Sequence, residues 1–267
     1  MARLPILLLL TLPCAPAFAQ NATDTADQAM QDTNQRWTLG VAAAAIDSPY
    51  AGEGTRFRPL PLVRFQGERF FLRGGDAGMH LFKRDTFAVD AFVSGRLDGF
   101  DIDDLGRAEL AANGLDADLL EDRDDGLDAG VTVGWLGRAG RIRLRAVADV
   151  SNTSDGMEAS LDYGYPFRWG RNTLEPIVGV RWMSSDLADY YYGTLDSEVA
   201  RGAPLYRPGA AVVPTVGLSF ARALTPRWTL IGRLAYDILP DEIAESPLLE
   251  ADTDGAASLV IGLGRSF

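Results

Sequence analysis

The chain has 267 residues, a formal net charge of −12, one histidine and one cysteine. An acidic chain does not suit a polyanion, so we expect no nucleic-acid partner. One cysteine excludes an internal disulfide, and His80 is the only histidine, so thiolate-rich and histidine-rich metal sites are excluded as well. We therefore expect no metal and no cofactor.

The N-terminal residues predict a secretory signal peptide. Arg3 precedes a short apolar run, and residues 17–19 form an A-x-A cleavage site. The apolar run is too short to cross a bilayer as a helix. We expect residues 1–19 to be removed together with Cys14. Acylation of Cys14 is the alternative, but Pro13 precedes it where a small residue is required.

Residues 20–36 are polar and aperiodic, which predicts a flexible periplasmic segment. From residue 37 onwards, apolar and polar side chains alternate with period two, as in a strand with one apolar face. About twelve such segments of about ten residues follow, the length that a tilted strand needs to cross a membrane. The predicted strands are 37–45, 57–65, 69–73, 78–83, 86–97, 127–135, 142–150, 157–165, 174–182, 210–221, 228–236 and 256–267.

The closing strand shows the pattern clearly. Leu259, Ile261 and Leu263 share one side of it, and Phe267 lies on that side as well. Arg265 interrupts this apolar side. Strands of outer-membrane barrels carry apolar residues outward to lipid and place aromatic residues at the interface.

The connections alternate between short and long. No apolar stretch after the leader approaches the length of a membrane-spanning helix, so a membrane location requires a closed barrel. Short periplasmic turns and long extracellular loops are typical of such barrels. The short connections are 83–85, 137–140, 168–172 and 225–227, and the long ones are 98–125, 184–208 and 239–255.

Aromatic residues recur at the short-turn end of the predicted strands. An aromatic girdle at a lipid interface explains why these residues all lie at one end of the strands and all on the outward face. A soluble sandwich, the alternative fold, gives no reason for this coincidence. We therefore predict an all-β protein, a transmembrane antiparallel up-and-down barrel of about twelve strands over residues 37–267, in the bacterial outer membrane. Its partners are then outer-membrane lipid and, during biogenesis, the barrel-assembly machinery. The girdle consists of Trp37, Phe87, Trp135, Tyr165, Trp228 and Phe267.

The opposite face of the strands carries charges of both signs, which either line a pore or pair and close it. The acidic stretch 98–125, with a short helix predicted within 105–120, offers carboxylates for a divalent cation but lacks the spacing of a calcium loop. A solvated, self-repelling loop is favoured. The predicted lumen charges are Asp90, Arg96, Arg143, Arg145, Asp149, Glu158, Asp162, Arg181, Arg233 and Asp237.

His80 is the one candidate general base. It lies on a predicted strand beside Asp76, near the outer rim, and a catalytic pair of these two residues is conceivable. No motif of an outer-membrane hydrolase accompanies it. We therefore interpret His80 as an ordinary lumen-facing residue and predict no catalytic residues.

Short motifs spread along the chain make it similar to the MltA-interacting protein/OmpV family of outer-membrane barrels. The one departure is Arg265, where such closing strands usually carry an aromatic or apolar residue. The motifs are Ser48-Pro49-Tyr50-Ala51-Gly52, Pro59-Leu60-Pro61-Leu62-Val63, Asp122-Arg123-Asp124, Leu127-Asp128-Ala129-Gly130, Tyr191-Tyr192-Gly193, Ser246-Pro247 and Gly262-Leu263-Gly264 to Phe267.

The resemblance implies a non-enzymatic scaffold that brings a murein transglycosylase and a murein synthase together during peptidoglycan remodelling. A porin-like small-solute channel or an adhesin is the alternative within the same family. For a scaffold, the basic short turns are the candidate periplasmic partner surface, namely Arg138, Arg168 and Arg227.

Overall fold

The computed structural model describes residues 36–267, so the predicted signal peptide and nearly all of the segment 20–36 lie outside the described residues. The described chain forms one antiparallel sheet that closes on itself. The strands are β1 Trp37–Asp47, β2 Thr55–Gln66, β3 Phe70–Arg73, β4 Asp76–Lys83, β5 Phe87–Arg96, β6 Gly126–Gly137, β7 Gly140–Asp149, β8 Met157–Gly164, β9 Phe167–Trp169, β10 Asn172–Met183, β11 Ala211–Ala223, β12 Trp228–Ile238 and β13 Gly255–Ser266.

Each strand pairs with its neighbours in sequence, and β13 pairs with β1 to close the wall. Strands β8 and β9 both pair with β10, one after the other, because Pro166 interrupts them and cannot donate a ladder hydrogen bond. They occupy one position in the wall. The thirteen assigned strands therefore make a twelve-stranded up-and-down barrel, which confirms the predicted fold class.

The two faces of the wall differ in the way the alternation predicts. In β13, Val260 is buried inside the barrel while its neighbours Leu259 and Ile261 are exposed on the outside. Exposed apolar side chains recur around the whole outer surface of the wall. A soluble protein does not present a continuous apolar exterior of this kind, whereas a barrel in lipid does.

The seam between β1 and β13 depends on close backbone approach. A Cβ at Gly40 would lie 2.2 Å from the carbonyl oxygen of Leu263 on the facing strand. A side chain there would push β1 away from β13, so glycine is required at this position.

The barrel wall is shorter along its axis at the hairpin of β3 and β4, because these strands have only four and eight residues. Strand β2 pairs with β1 along its whole length but with β3 only through its last three residues, Arg64, Phe65 and Gln66. Within the described chain, residues 55–63 therefore form an edge on that side. Pro59 and Pro61 lie on this edge, where a missing N–H costs no ladder bond and hinders pairing with another chain.

The long connections contain four short helices. The helix predicted within 105–120 is present at Arg107–Ala112, with a 3-10 turn at Ala117–Leu119 after it. The other two long connections, predicted as plain loops, are also partly helical. None of these helices is long and apolar enough to cross a membrane, in the part of the chain described. The helices are α1 Arg107–Ala112, α2 Ser185–Tyr192, α3 Asp196–Arg201 and α4 Asp241–Ala244.

Candidate functional site

The three long connections, residues 97–125, 184–210 and 239–254, pack together over the end of the barrel opposite the short turns. We call this unit the cap. It has its own apolar core of fully or nearly fully buried side chains. Members of that core include Phe100, Leu110, Leu115, Leu187, Tyr191, Ile243, Leu248 and Leu249.

The acidic stretch 98–125 is therefore not a solvated, repelling loop. Its apolar residues, such as Ile102 and Leu105, alternate with its carboxylates and enter the cap core, while Asp103 and Asp104 stay exposed. Burial of the apolar residues outweighs the repulsion because the carboxylates remain in water. Among the described residues, no group of three or more metal-ligating side chains is arranged to hold an ion.

A buried ion pair lies at the centre of the cap. The two terminal nitrogens of the Arg123 guanidinium, Nη1 and Nη2, donate to the two carboxylate oxygens of Glu198 at 2.8 Å and 3.0 Å, and both side chains are 0% exposed. The Arg123 Nε donates to the carbonyl of Tyr190 at 2.7 Å. The Glu198 carboxylate also accepts from the backbone N–H groups of Glu121 and Leu195. A pair with this many partners ties separate loops together.

Tyrosines connect the cap to the connection between β1 and β2 and join the cap loops to one another. The Tyr50 hydroxyl donates to the carbonyl of Tyr191 at 3.2 Å, and the Tyr191 hydroxyl donates to the carbonyl of Asp124 at 3.2 Å. Burial raises the pKa of Tyr192 to about 12, and it also raises the pKa of Tyr191. These phenols stay neutral at physiological pH, so the cap core contains no phenolate charge.

The cap also crosses the β1–β13 seam. Tyr50 and Leu249 form an antiparallel bridge above it. The Ala51 N–H donates to the carbonyl of Leu248 at 3.0 Å, and the Glu250 N–H donates to the carbonyl of Pro49 at 2.8 Å. The first and last connections of the barrel are thus hydrogen-bonded to each other outside the sheet.

Below the cap, predicted lumen charges form a connected network. Arg96 donates to Asp98 and Glu158, each at 3.1 Å, and pairs with Asp128 at 2.7 Å. The Arg181 guanidinium pairs with Glu158 at 3.9 Å and with Asp237 at 3.5 Å, and so links these two carboxylates. Each of these guanidinium groups therefore has carboxylates on more than one strand.

The other predicted lumen charges lie elsewhere. Arg145 pairs with Asp76 at 2.7 Å, and Arg143 lies opposite Asp162 in the ladder between β7 and β8. Asp149 is on the inward side of β7 at its cap end, where its carboxylate accepts backbone N–H groups of the turn that follows. Arg233 and Arg143 line a small recess farther toward the short turns.

A larger cavity of about 350 Å³ lies at the short-turn end of the lumen. We call it the vestibule. Its charged lining contains seven cationic side chains and two carboxylates. The cations are Arg64, Arg73, Lys83, Arg84, Arg141, Arg143 and Arg168, and the carboxylates are Asp85 and Asp90.

His80 lies in this vestibule and not near the outer rim. Strand β4 runs toward the short turns, so His80 is opposite Asp90, and its Nδ1 is 2.6 Å from an Asp90 oxygen. Its Nε2 is 2.6 Å from the Gln66 amide nitrogen. Asp76, the partner expected from sequence proximity, pairs with Arg145 instead. On the side of the imidazole ring away from Asp90, His80 therefore contacts the Gln66 amide and not a nucleophilic side chain.

The structure places the predicted girdle residues on the outer surface at the short-turn end, and all six are exposed. Phe70, Phe82, Phe167 and Trp169 extend this belt, although they were not in the predicted set. Arg265 also faces outward, with its guanidinium 4.7 Å from the Phe267 ring centroid and 5.9 Å from that of Trp228. A cation stacked on interfacial rings is compatible with this location. Arg138, Arg168 and Arg227 are exposed on the turns.

Several inward-facing charges were not in the predicted set of lumen charges. Arg64, Arg141 and Glu175 face inward, and Arg141 is ion-paired with Glu175. The period-two alternation of each strand places all three residues on the lumen side, so this pattern could have predicted them. Arg73 lies on a strand of only four residues, too short for its phase to be read from a pattern.

The fold and the apolar exterior define an outer-membrane β-barrel protein. The family model for MltA-interacting protein MipA matches residues 39–267, and the chain belongs to that family. It is similar to the MltA-interacting protein of Escherichia coli (strain K12), with 26% identity over 84% of this chain and 88% of the relative. The outer membrane protein YiaT of the same organism is 28% identical over 88% of this chain and 92% of the relative.

Solved barrels are more distant. The NanC porin matches with 11% identity and a TM-score of 0.47, over 86% of this chain and 100% of the porin.

Proposed function

We propose that this protein is a non-enzymatic scaffold of the outer membrane that binds murein-remodelling enzymes at its periplasmic face. The observation that carries the proposal is the cap. A packed apolar core and a buried ion pair cover one end of the lumen, which disfavours free passage of solutes. A binding role through the opposite end does not require an open lumen.

The kind of partner follows from the family. The relative from Escherichia coli is named for interaction with MltA. We propose a partner of the same class, a murein transglycosylase, together with a murein synthase. The exposed turn residues Arg138, Arg168 and Arg227 are the proposed contact surface, because basic turns on an acidic protein steer an acidic surface toward the periplasmic end.

Pull-down of murein enzymes from envelope extracts tests the scaffold. Changing Arg138, Arg168 and Arg227 together to Glu is expected to reduce the recovered enzymes severalfold, because each reversal turns attraction into repulsion. A matched control changes the exposed cap residues Arg107, Arg201 and Arg207 to Glu and is expected to leave recovery unchanged. Equal recovery with both triple variants would remove the basic turns from the interface.

A small-solute channel is the second candidate, and the vestibule is the observation that favours it. Purified protein in planar bilayers separates the two. The scaffold proposal expects no steady conductance from the intact barrel, and a stable open channel would replace it. His80→Ala is expected to leave the pull-down unaltered, and loss of function in that variant alone would favour catalysis.

A further inference from the structure

We propose that the vestibule binds a small soluble polyanion that carries carboxylate or phosphate groups and enters from the periplasm. The first observation is the charge of the lining, seven Lys or Arg side chains against two Asp. The chain as a whole has more carboxylates than cations, at −12. Overall composition therefore does not explain why so many cationic side chains are clustered in this one cavity.

The second observation is that cations here face one another. Arg64 on β2 lies directly opposite Arg73 on β3, and Arg64 is only 4% exposed. Lys83 lies within electrostatic reach of both. Like charges directly opposite each other in a sheet are destabilising, more so where water is scarce. An anion placed among these groups converts the repulsion into attraction.

Nearby carboxylates neutralise only part of this positive charge. Asp90 is shared between Arg73, at 3.2 Å, and His80. The buried Nε of Arg73 has no hydrogen-bond partner in the described structure. In the upper lumen Arg96 has three carboxylates within 3.1 Å, although its Nε, like that of Arg73, has no hydrogen-bond partner in the described structure. Within the vestibule lining, Arg141 is paired with Glu175 and Arg143 lies opposite Asp162, yet cations still outnumber the carboxylates around the cavity.

The cavity defines the class of ligand. A volume of about 350 Å³ accommodates a small molecule and no folded domain. Guanidinium groups match carboxylate and phosphate oxygens in two-point geometry, and several such groups favour a ligand with at least two negative charges. The lining joins inward-facing residues of the wall to the outward-facing rim residues Phe87, Trp135 and Ile142, so the nanodisc comparison below separates a soluble anion from a lipid headgroup.

Isothermal titration of the folded mature protein with citrate tests the proposal, with glucose at matched ionic strength as the neutral probe. Citrate is expected to give saturable heat and glucose none. Binding is expected to weaken as salt rises, because screening reduces charge attraction. No saturable heat with citrate, or equal heat with glucose, would overturn the proposal.

The variants locate the site. Arg64→Gln and Arg73→Gln are each expected to weaken citrate binding about tenfold, the equivalent of about 1.4 kcal/mol. Arg171→Gln is the matched control, because Arg171 is an exposed turn arginine at the same end that does not line the cavity. Equal weakening in Arg171→Gln would assign the effect to overall charge and contradict the site.

Two further measurements cover a folding failure of the buried variants and binding of a lipid headgroup. If the buried variants fail to fold, the exposed rim pair Arg84→Gln and Arg168→Gln replaces them, with the same expected weakening. Nanodiscs with and without phosphatidylglycerol form the second arm, in which citrate affinity is expected to be the same. Competition by the lipid would assign the vestibule to a headgroup phosphate and overturn the soluble ligand. The scaffold proposal is tested separately by pull-down, so either proposal can fail alone.

Discussion

At the scale of single residues, the decisive contrast is between paired and surplus charge. Arg123 and Glu198 are completely buried and satisfied by each other and by backbone groups. Such a pair adds little net stability over an apolar replacement, but removal of one member leaves an uncompensated buried charge. The pair therefore specifies how the cap loops fit together.

Glu198→Ala is expected to destabilise the cap by about 3–5 kcal/mol, because Arg123 then stays buried without its carboxylate. Limited proteolysis of the folded barrel measures the effect as faster cleavage within 97–125 and 184–210. The control is Glu121→Ala, which removes a half-exposed pair with Arg201 and is expected to cost less than about 1 kcal/mol. Equal cleavage rates in the two variants would contradict a structural role for the buried pair.

At the scale of elements, alternation determines which way each strand faces. In β6, Val131 is exposed on the outside while the adjacent Thr132 lines the vestibule. One step along the strand moves a side chain from lipid to lumen, since the period is two. The free-energy cost of introducing a charge therefore depends on whether that strand position faces the lipid or the lumen.

Val131→Arg is expected to destabilise the barrel by about 2–4 kcal/mol if the residue lies at the bilayer midplane, because the charge enters lipid. Thr132→Arg places the same group in the vestibule and is expected to cost less. Folding titrations of both variants in lipid vesicles measure the difference. Equal costs would show that the assigned faces, or the lipid surroundings, are wrong.

The same periodicity explains what could be predicted from the sequence. The alternation located every long strand within a few residues and the inward phase of Arg96, Glu158 and Arg181, because strand faces depend on local order alone. It did not locate the cap, whose core joins residues such as Leu110 and Leu249 from distant loops with no shared period. The vestibule was missed for a related reason, since Arg64 and Arg73 meet only across a short hairpin.

At the scale of the whole molecule, the two ends of the barrel are unlike. One end carries the packed cap, and the other carries short basic turns, the aromatic belt and the vestibule mouth. In outer-membrane barrels the long loops face the cell exterior and the short turns face the periplasm. We therefore expect the cap to face the cell exterior and the proposed partner surface to face the periplasm.

Cysteine labelling of intact cells tests this orientation. Asp103→Cys and Asp252→Cys, both at exposed cap positions, are expected to react with a membrane-impermeant maleimide. Arg138→Cys and Thr225→Cys, on short turns, are expected to react only after the outer membrane is permeabilised. The reverse pattern would invert the protein in the membrane and exclude periplasmic enzymes from the basic turns.

The contact of the cap with the β1–β13 seam has a consequence for assembly. That ladder joins the two ends of the wall, so it cannot form until the last strand has entered the sheet. The bridge between Tyr50 and Leu249 then forms above it, between loops that are far apart until closure. Opening the wall at this seam requires the bridge and its flanking hydrogen bonds to break as well. The finished barrel is thus kinetically protected at the one junction where its circumference was last open.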